Sequence, residues 1–591
     1  MKLEHFLFAG MAVLLVGGGI RLANIERERG DELRRKAQRQ HIASWTIPAQ
    51  RGDILDCQGR VLAGSLRRPS VFMDPAMIED PDTAAELIAP VLGLNAEELA
   101  RTIYEKRDKR FVWVKRDITD EELAEFNLVR RENELPAFVV QHEPRRDYPY
   151  GRMASQVLGF VGAEETGLAG IEMVYEKVLA GVPGERTSTV DARRRRVRSE
   201  ADKDVPPKDG ASVVLTLDAH LQQRTEYHLR NCFDEYKPEW VCAVVMDPLS
   251  GEILAMATLP DFDPADPIPD NRSREQQEKA LERTRNRAIA DSYEPGSIFK
   301  PFIAGGALSD GVVGINDHFA VNGPTHQFGR RTIHDVHAYG TLTVHEIISK
   351  SSNIGMGMIG AKCGNDRLYR YVRDFGFGSP TGIELAGEHD GLVLRESSWT
   401  TFSTQSVPIG QEIGVTPIQL VTAFSVFCNG GILYQPRIVR GVISAAGETL
   451  EDRSEPIVVR HVMTPESAAL FRMKALVETV NDGTGKQAQL ADYQVFGKTG
   501  TAQVARSGGR GYIPGAYVGS FLAGAPAEQP RVVVLVSVYR PTSGKYYGGT
   551  VAAPTVAAII ADTLEYMQVP PEPPAVGLKA SHDGGGMASA R

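Results

Sequence analysis

Residues 493–504 read YQVFGKTGTAQV, residues 516–526 read AYVGSFLAGAP and residues 531–540 read RVVVLVSVYR. All three runs have strand character, rich in β-branched and aromatic residues, and a helical stretch, APTVAAIIADTLEYM, follows from residue 553. Two further strand-like runs stand far earlier, WVCAVVMD at 240–247 and EILAMATL at 252–259, joined by the turn residues Pro248 to Gly251. Ahead of them VVLTLD gives way to a helix that Asp218 can cap, with Leu221, Leu229 and Phe233 on one face. Five strands with short connections inside helix-rich sequence imply an α/β (α+β) domain, a five-stranded antiparallel sheet covered by helices.

The sequence upstream has a different character. Residues 70–200 mix helical periodicity (TAAELIAPVLGLNAEELARTIYEK) with strand-like runs (RFVWVKR, AFVVQHEP), as in an α+β accessory region, and the polar segment SEADKDVPPKDG closes it near residue 210. Before that, RGDILDCQGRVLAGS has the alternation and the Gly59 turn of a short hairpin, with Pro48 expected to stop a preceding helical stalk. At the N-terminus, FLFAGMAVLLVGGGI (6–20) is an uncharged run that spans a bilayer if Arg21 snorkels to the interface. No A-x-A site follows it, so an uncleaved anchor is preferred to a signal peptide. Basic residues crowd the side after the span, which by the positive-inside rule alone would keep the bulk of the chain inside. The expected division is therefore residues 1–25, a short end and transmembrane anchor; 26–210, a stalk and pedestal; 211–568, the sheet-containing domain; and 569–591, a Pro- and Gly-rich tail expected to be disordered.

Composition narrows the function classes. The 591 residues carry 66 Lys+Arg against 75 Asp+Glu, a net charge of −9, which argues against a basic nucleic-acid binder. With 42% hydrophobic and 24% charged residues, the chain can bury large cores. Five scattered cysteines have neither zinc spacing nor the density of a disulfide scaffold.

The chemistry begins at Tyr293–Lys300, YEPGSIFK. If Pro295 and Gly296 end a loop and Ser297 opens a helix, Ser297 and Lys300 share one face of its first turn. A serine hydroxyl is a weak nucleophile, and a desolvated lysine can serve as its base. Alone, S-x-x-K more often marks a serine cap followed by a solvated lysine. Two further motifs follow in order: SKSSNIGM, with Ser351 and Asn353, and VFGKTGTAQV, with Lys498, Thr499, Gly500 and Thr501. Ser351 can donate and accept; Asn353 can bond a lysine and a substrate amide together. On an alternating strand, Lys498 and the threonines supply positive charge and hydroxyl donors for a carboxylate, and Gly500 is expected to let a substrate backbone approach.

The three motifs in this order resemble the penicillin-binding proteins. RNRAIADSYEPGS, IGQEIGVTPIQL and GKYYGGTVAAP narrow the resemblance to the class B, monofunctional transpeptidases, most like the septal cell-division type, with the spore-cortex type next. RGDILDCQGRVLA and GLAGIEMVYEKVLAGVPG resemble that class's non-catalytic, dimerisation-like pedestal. The resemblance implies a peptidoglycan D,D-transpeptidase. Ser297 would be acylated by a stem peptide ending in D-Ala-D-Ala, with Lys300 as general base, Ser351 as proton relay and Asn353 orienting both lysine and stem. Lys498, Thr499 and Thr501 would hold the terminal carboxylate, and the backbone N–H groups of Ser297 and Thr501 would form the oxyanion hole. It implies β-lactams as covalent inhibitors, no metal or cofactor, no nucleic acid, and single-pass anchoring in the cytoplasmic (inner) membrane with an extracytoplasmic catalytic domain. Expected partners are a membrane glycosyltransferase of the shape-elongation-division-sporulation (SEDS) type and other divisome proteins.

Other signals are weaker. Gly497-Lys498-Thr499 lacks the glycine that a P-loop needs, having Asp492 in its place, and the second histidine of a zincin helix starting at His345 would be Ser349. His334, Asp335 and His337 could ligate a metal but read better as polar residues of a loop beside the cleft. Arg193 to Arg196 read as a solvated loop, and Arg51-Gly52-Asp53 as part of the pedestal motif. No glutamate is identifiable for a lactamase's deacylating water, a β-lactam sensor would need several spans, and a non-catalytic scaffold has no need of this constellation.

Overall fold

The computed structural model describes residues 2–189, 203–268, 273–506, 508 and 511–571. The basic run at 193–196 and nearly all of the tail expected at 569–591 therefore lie outside the described residues. Two compact units alternate along the chain. One comprises Met1–Arg51, Arg67–Pro144 and Ala180–Gly210, the other Gly52–Leu66, Arg145–Leu179 and Ala211–Arg591.

In the first unit, the helix Lys2–His41 contains one stretch, Phe8–Arg29, long and apolar enough to cross a membrane. It ends at His41, earlier than the sequence suggested. Pro48 is not its terminator, because the β-branched run Ile42–Ile47 forms a strand that pairs antiparallel with Gly184–Thr189. Three capped helices follow, Pro81–Val91, Ala96–Glu105 and Asp120–Glu132, the last opened by a reciprocal Thr119/Glu122 capping box. Their apolar faces meet Val71, Met73 and Phe138 in a core of their own, with Ile88, Ile103 and Phe126 fully buried.

The larger unit is built on five strands: β1 (Trp240–Met246), β2 (Ile253–Leu259), β3 (Phe496–Ala505), β4 (Tyr512–Ala525) and β5 (Val532–Tyr539). Their order is β2-β1-β5-β4-β3, antiparallel throughout, so the sheet read from the sequence is present and β3 is an edge. Alternate residues of single strands enter different cores. Val241, Ala243 and Val245 face one, while Trp240, Cys242, Val244 and Met246 face the other; Val534 and Val536 oppose Val533 and Leu535 in the same way. The runs show no polar alternation because helices cover both faces.

One face carries α1 (Ala219–Tyr236) and the terminal helix Ala553–Tyr566. Asp218 caps α1, its Oδ1 accepting from His220 N and Leu221 N at 2.8 and 3.2 Å. On the other face lies α2 (Lys300–Ser309), whose first eight residues are all buried. An all-round apolar helix of this kind belongs at the centre of a domain. Gly305 and Gly306 make that fit: a Cβ on either would come within 2.8 Å of a ring carbon of Phe427 or Tyr371.

The two short upstream pieces of this unit are tied to each other through one buried arginine. Arg146 Nε donates to Glu172 Oε1 at 2.6 Å and Arg146 Nη1 to the Gly52 carbonyl at 2.8 Å, with the two side chains 1% and 0% exposed. Truncating one partner leaves a buried charge without its counter-ion. Glu172→Ala is expected to lower stability by about 3–5 kcal/mol in denaturant titration, well beyond the effect of a surface substitution.

Candidate active site

Ser297 lies in a single 3-10 turn, Gly296–Phe299, and α2 begins at Lys300. Residues three apart eclipse in such a turn, so hydroxyl and amine share a face even though Ser297 precedes the α-helix instead of opening it. The turn is fastened from three sides. Tyr293 exchanges backbone hydrogen bonds with Val415 at 3.1 and 3.0 Å, and its buried hydroxyl lies 2.7 Å from Ser537 Oγ on β5. Gly296 N donates to the Gly410 carbonyl at 3.1 Å, an approach so close that a Cβ on Gly410 would lie 2.2 Å from Gly296 O. From β3, Gly500 presses against the turn, where a Cβ would sit 3.0 Å from Ile298 Cβ. Gly500 thus admits the close approach of the turn that carries Ser297.

The second motif sits on the turn between the helix Val344–Ser349 and α3 (Asn353–Asp374). Ser351 adopts φ +60°, a left-handed conformation unusual for a side-chain-bearing residue, and this turns both its carbonyl and its hydroxyl toward Lys300. Lys300 Nζ donates to Ser351 O at 2.6 Å, Ser351 Oγ at 3.2 Å and Asn353 Oδ1 at 2.8 Å. From β3, Lys498 Nζ donates to the same Ser351 Oγ at 3.0 Å. Both lysines are 0% exposed. Burial pulls Lys300 down from the usual 10.5 to about 7, partly offset by the Asp335 carboxylate. Burial, reinforced by the neighbouring Lys300, also holds Lys498 well below the ordinary ammonium range.

Asp335 is the residue whose role the sequence reading missed. It lies, with His334 and His337, on the long strand Arg331–Thr343 of a hairpin, not in a loop. Its Oδ2 accepts from Ser352 Oγ at 2.5 Å and its Oδ1 from Asn353 N and Ile354 N, the latter at 3.1 Å. This carboxylate at the first turn of α3 complements the helix dipole and fixes Asn353. Asn353 Nδ2 donates to His334 O at 3.0 Å, leaving one amide hydrogen for a ligand. Among the described residues no cluster of His, Cys, Asp or Glu could hold a metal ion.

These groups open onto a cleft of about 790 Å³ lined by Ser297, Ser351, Asn353, Thr499 and Thr501. Thr501 Oγ1 accepts from Gly548 N at 3.1 Å, and Thr499 Oγ1 lies 2.6 Å from Thr484 Oγ1. One wall carries stacked rings, Tyr517 on Tyr546 at 4.1 Å and Tyr546 on Tyr547 at 4.6 Å. Three residues before Ser297, half-buried Glu294 accepts from Tyr512 Oη at 2.8 Å and Glu412 N at 3.0 Å, and partial desolvation raises its carboxyl. Thr484 stands outside every motif, and Glu294, although inside YEPGSIFK, gives no sequence signal of its distant partners Tyr512 and Glu412. The GKYYGG run did advertise the tyrosines.

Residues 241–561 match the family described as the penicillin binding protein transpeptidase domain, and residues 46–215 match the penicillin-binding protein dimerisation domain. The chain is similar to the stage V sporulation protein D of Bacillus subtilis, 34% identical over 96% of this chain and 86% of that protein. It is also similar to the peptidoglycan D,D-transpeptidase FtsI of Escherichia coli K12, 29% identical over 93% and 89%. The crystal structure of a peptidoglycan synthetase from Bifidobacterium adolescentis superposes with a TM-score of 0.70 at 26% identity, over 90% of this chain and 98% of that one. Penicillin binding protein 3 of Mycobacterium tuberculosis complexed with ampicillin gives 0.69 at 26%, over 90% and 98%. A dimerisation domain ahead of a transpeptidase domain, with the serine, lysine and asparagine of three separated motifs meeting in one cleft, makes this chain a member of the class B penicillin-binding proteins.

Proposed function

We propose that the chain is a peptidoglycan D,D-transpeptidase that cross-links stem peptides through an acyl-enzyme on Ser297, acting in septal wall synthesis. The observation that carries the reading is the single hydroxyl of Ser351 held at 3.2 and 3.0 Å by two buried lysines in the cleft of Ser297. Lys300, brought near neutrality by burial, takes the Ser297 proton as Oγ attacks the penultimate D-Ala carbonyl. The proton passes from Lys300 to Ser351 Oγ, which delivers its own to the departing D-Ala amine as the C–N bond breaks. Lys498, Thr499 and Thr501 hold the terminal carboxylate, the Ser297 and Thr501 N–H groups take the oxyanion, and the stem lies along the free edge of β3. An amine of a second stem then attacks the ester, forming the cross-link and returning the proton to Ser297.

The helix containing Phe8–Arg29 supports a single-pass anchor. The substrate class puts residues beyond it on the extracytoplasmic side, with the first unit as pedestal and as contact for a SEDS glycosyltransferase and divisome partners. A spore-cortex role is the second reading, favoured by the 34% identity to a sporulation protein against 29% to a division one. Depletion in growing cells separates the roles: filaments are expected for septal synthesis, round cells would indicate elongation, and normal growth with failed spores would indicate the cortex.

The chemistry has its own test. A fluorescent penicillin is expected to leave a stable adduct on gels that Ser297→Ala abolishes; fast turnover of that adduct would instead mark a β-lactamase, and no adduct a scaffold. Acylation should also slow as pH falls through about 7, because protonated Lys300 cannot accept a proton. The same displacement means the unfolded chain binds more protons than the folded one between about 7 and 10.5, so stability rises with pH across that window. Stopped-flow acylation rates and melting curves against pH read the two effects separately.

A further inference from the structure

Thr484 sits outside all three motifs, on the turn after the helix Val477–Asn481, and lines the cleft. Its backbone has little freedom. Thr484 N donates to the Ser349 carbonyl at 3.3 Å, a Cβ on the preceding Gly483 would lie 2.3 Å from that same oxygen, and a Cβ on Gly549 would lie 2.6 Å from Thr484 O. The turn is thus wedged between the segment that delivers Ser351 and the segment that packs on β3. From this position Thr484 Oγ1 reaches Thr499 Oγ1 at 2.6 Å, its one hydrogen-bond contact among the described residues.

Thr499 has one hydroxyl proton and two lone pairs. Lys498 Nζ lies 3.4 Å from Thr499 Oγ1, directed at one lone pair. We propose that Thr484 is a positioning residue that makes Thr499 an anion donor: its hydroxyl donates to the second lone pair, so the Thr499 proton has only the cleft to point into. A carboxylate there would meet a hydroxyl already oriented toward it, polarised by a donor chain that starts at Thr484. Without Thr484 the Thr499 hydroxyl rotates freely and must be ordered by the ligand itself. The inference rests on the reading of Thr499 as part of the carboxylate site, and extends it to a residue that reaches the ligand only through Thr499.

The test uses the full chain and two probes, benzylpenicillin and its methyl ester, which differ only in the carboxylate charge. Stopped-flow acylation gives the binding constant and the acylation rate constant separately. In the wild-type chain the acid should bind more tightly than the ester. Thr484→Val, which keeps the shape and removes the hydroxyl, is expected to weaken binding of the acid about ten-fold, to leave the ester within about two-fold, and to leave the acylation rate constant nearly unchanged. Thr484→Ser should restore the wild-type preference. Thr484→Ala repeats the loss without valine's packing demands, should Thr484→Val fold poorly. A wild-type acid-to-ester ratio in both hydroxyl-free variants, or equal losses for both probes, would overturn the role of Thr484 and leave the carboxylate site standing. A wild-type chain that does not distinguish acid from ester would overturn the carboxylate site, and the role of Thr484 with it.

Discussion

The interaction on which the rest of the structure depends is the burial of two lysines around one serine hydroxyl. An ammonium removed from water is costly, and two sharing an acceptor repel each other, so the arrangement persists only where its surroundings allow no alternative. Lys300 and Lys498 come from opposite directions, one from a central helix and one from an edge strand, and meet at Ser351 Oγ. Neither can withdraw to solvent, because α2 is buried over its first eight residues and Lys498 projects beneath the cleft surface. The site's reactivity is in this sense a packing result: the amine is basic at neutral pH because the fold gives it nowhere to be charged cheaply.

Holding that geometry is the task of the glycines around the Ser297 turn. Gly410, with φ +77°, lets one loop lie against the Gly296 backbone, Gly500 lets β3 lie against Ile298, and a Cβ on Gly548 would lie 2.2 Å from both Gly500 O and Ser520 O. The approaches at Gly410 and Gly548 are to backbone atoms and that at Gly500 is to the Ile298 Cβ, so a methyl group cannot be absorbed by a rotamer change. The Ser297 turn, the edge strand and the YYGG segment consequently behave as one stacked assembly.

This explains what was legible in the sequence. The five strands could be read because their runs are long, β-branched and bounded by turns, and the three motifs could be picked out because S-x-x-K, S-S-N and K-T-G retain their order. The stalk's end was misread because Pro48 is a loud local signal, whereas Ile42–Ile47 becomes a strand only through its long-range partner Gly184–Thr189. Gly500 was legible as a point of close approach, but a glycine in a strand does not name what approaches, and the Gly296–Phe299 turn packed against it could not be read from spacing. Asp335 and Thr484 were illegible as site residues because each acts through contacts that chain spacing does not encode, Asp335 across 18 residues to Asn353 and Thr484 across 15 to Thr499.

Asp335 also sets how far the lysine is displaced. Burial lowers Lys300 and the carboxylate pulls it back, so an unshielded aspartate beside a buried ammonium would restore an ordinary, inert cation. Here the carboxylate is occupied. It accepts from Ser352 Oγ and from two backbone N–H groups at the start of α3, donors that carry the positive end of the helix dipole. At Lys300 it acts as a counterweight to burial, which remains the larger influence. The carboxylate that clamps Asn353 in place is therefore also the charge that faces Lys300. One carboxylate at one helix terminus thus both positions Asn353 and tempers the effect of burial on Lys300.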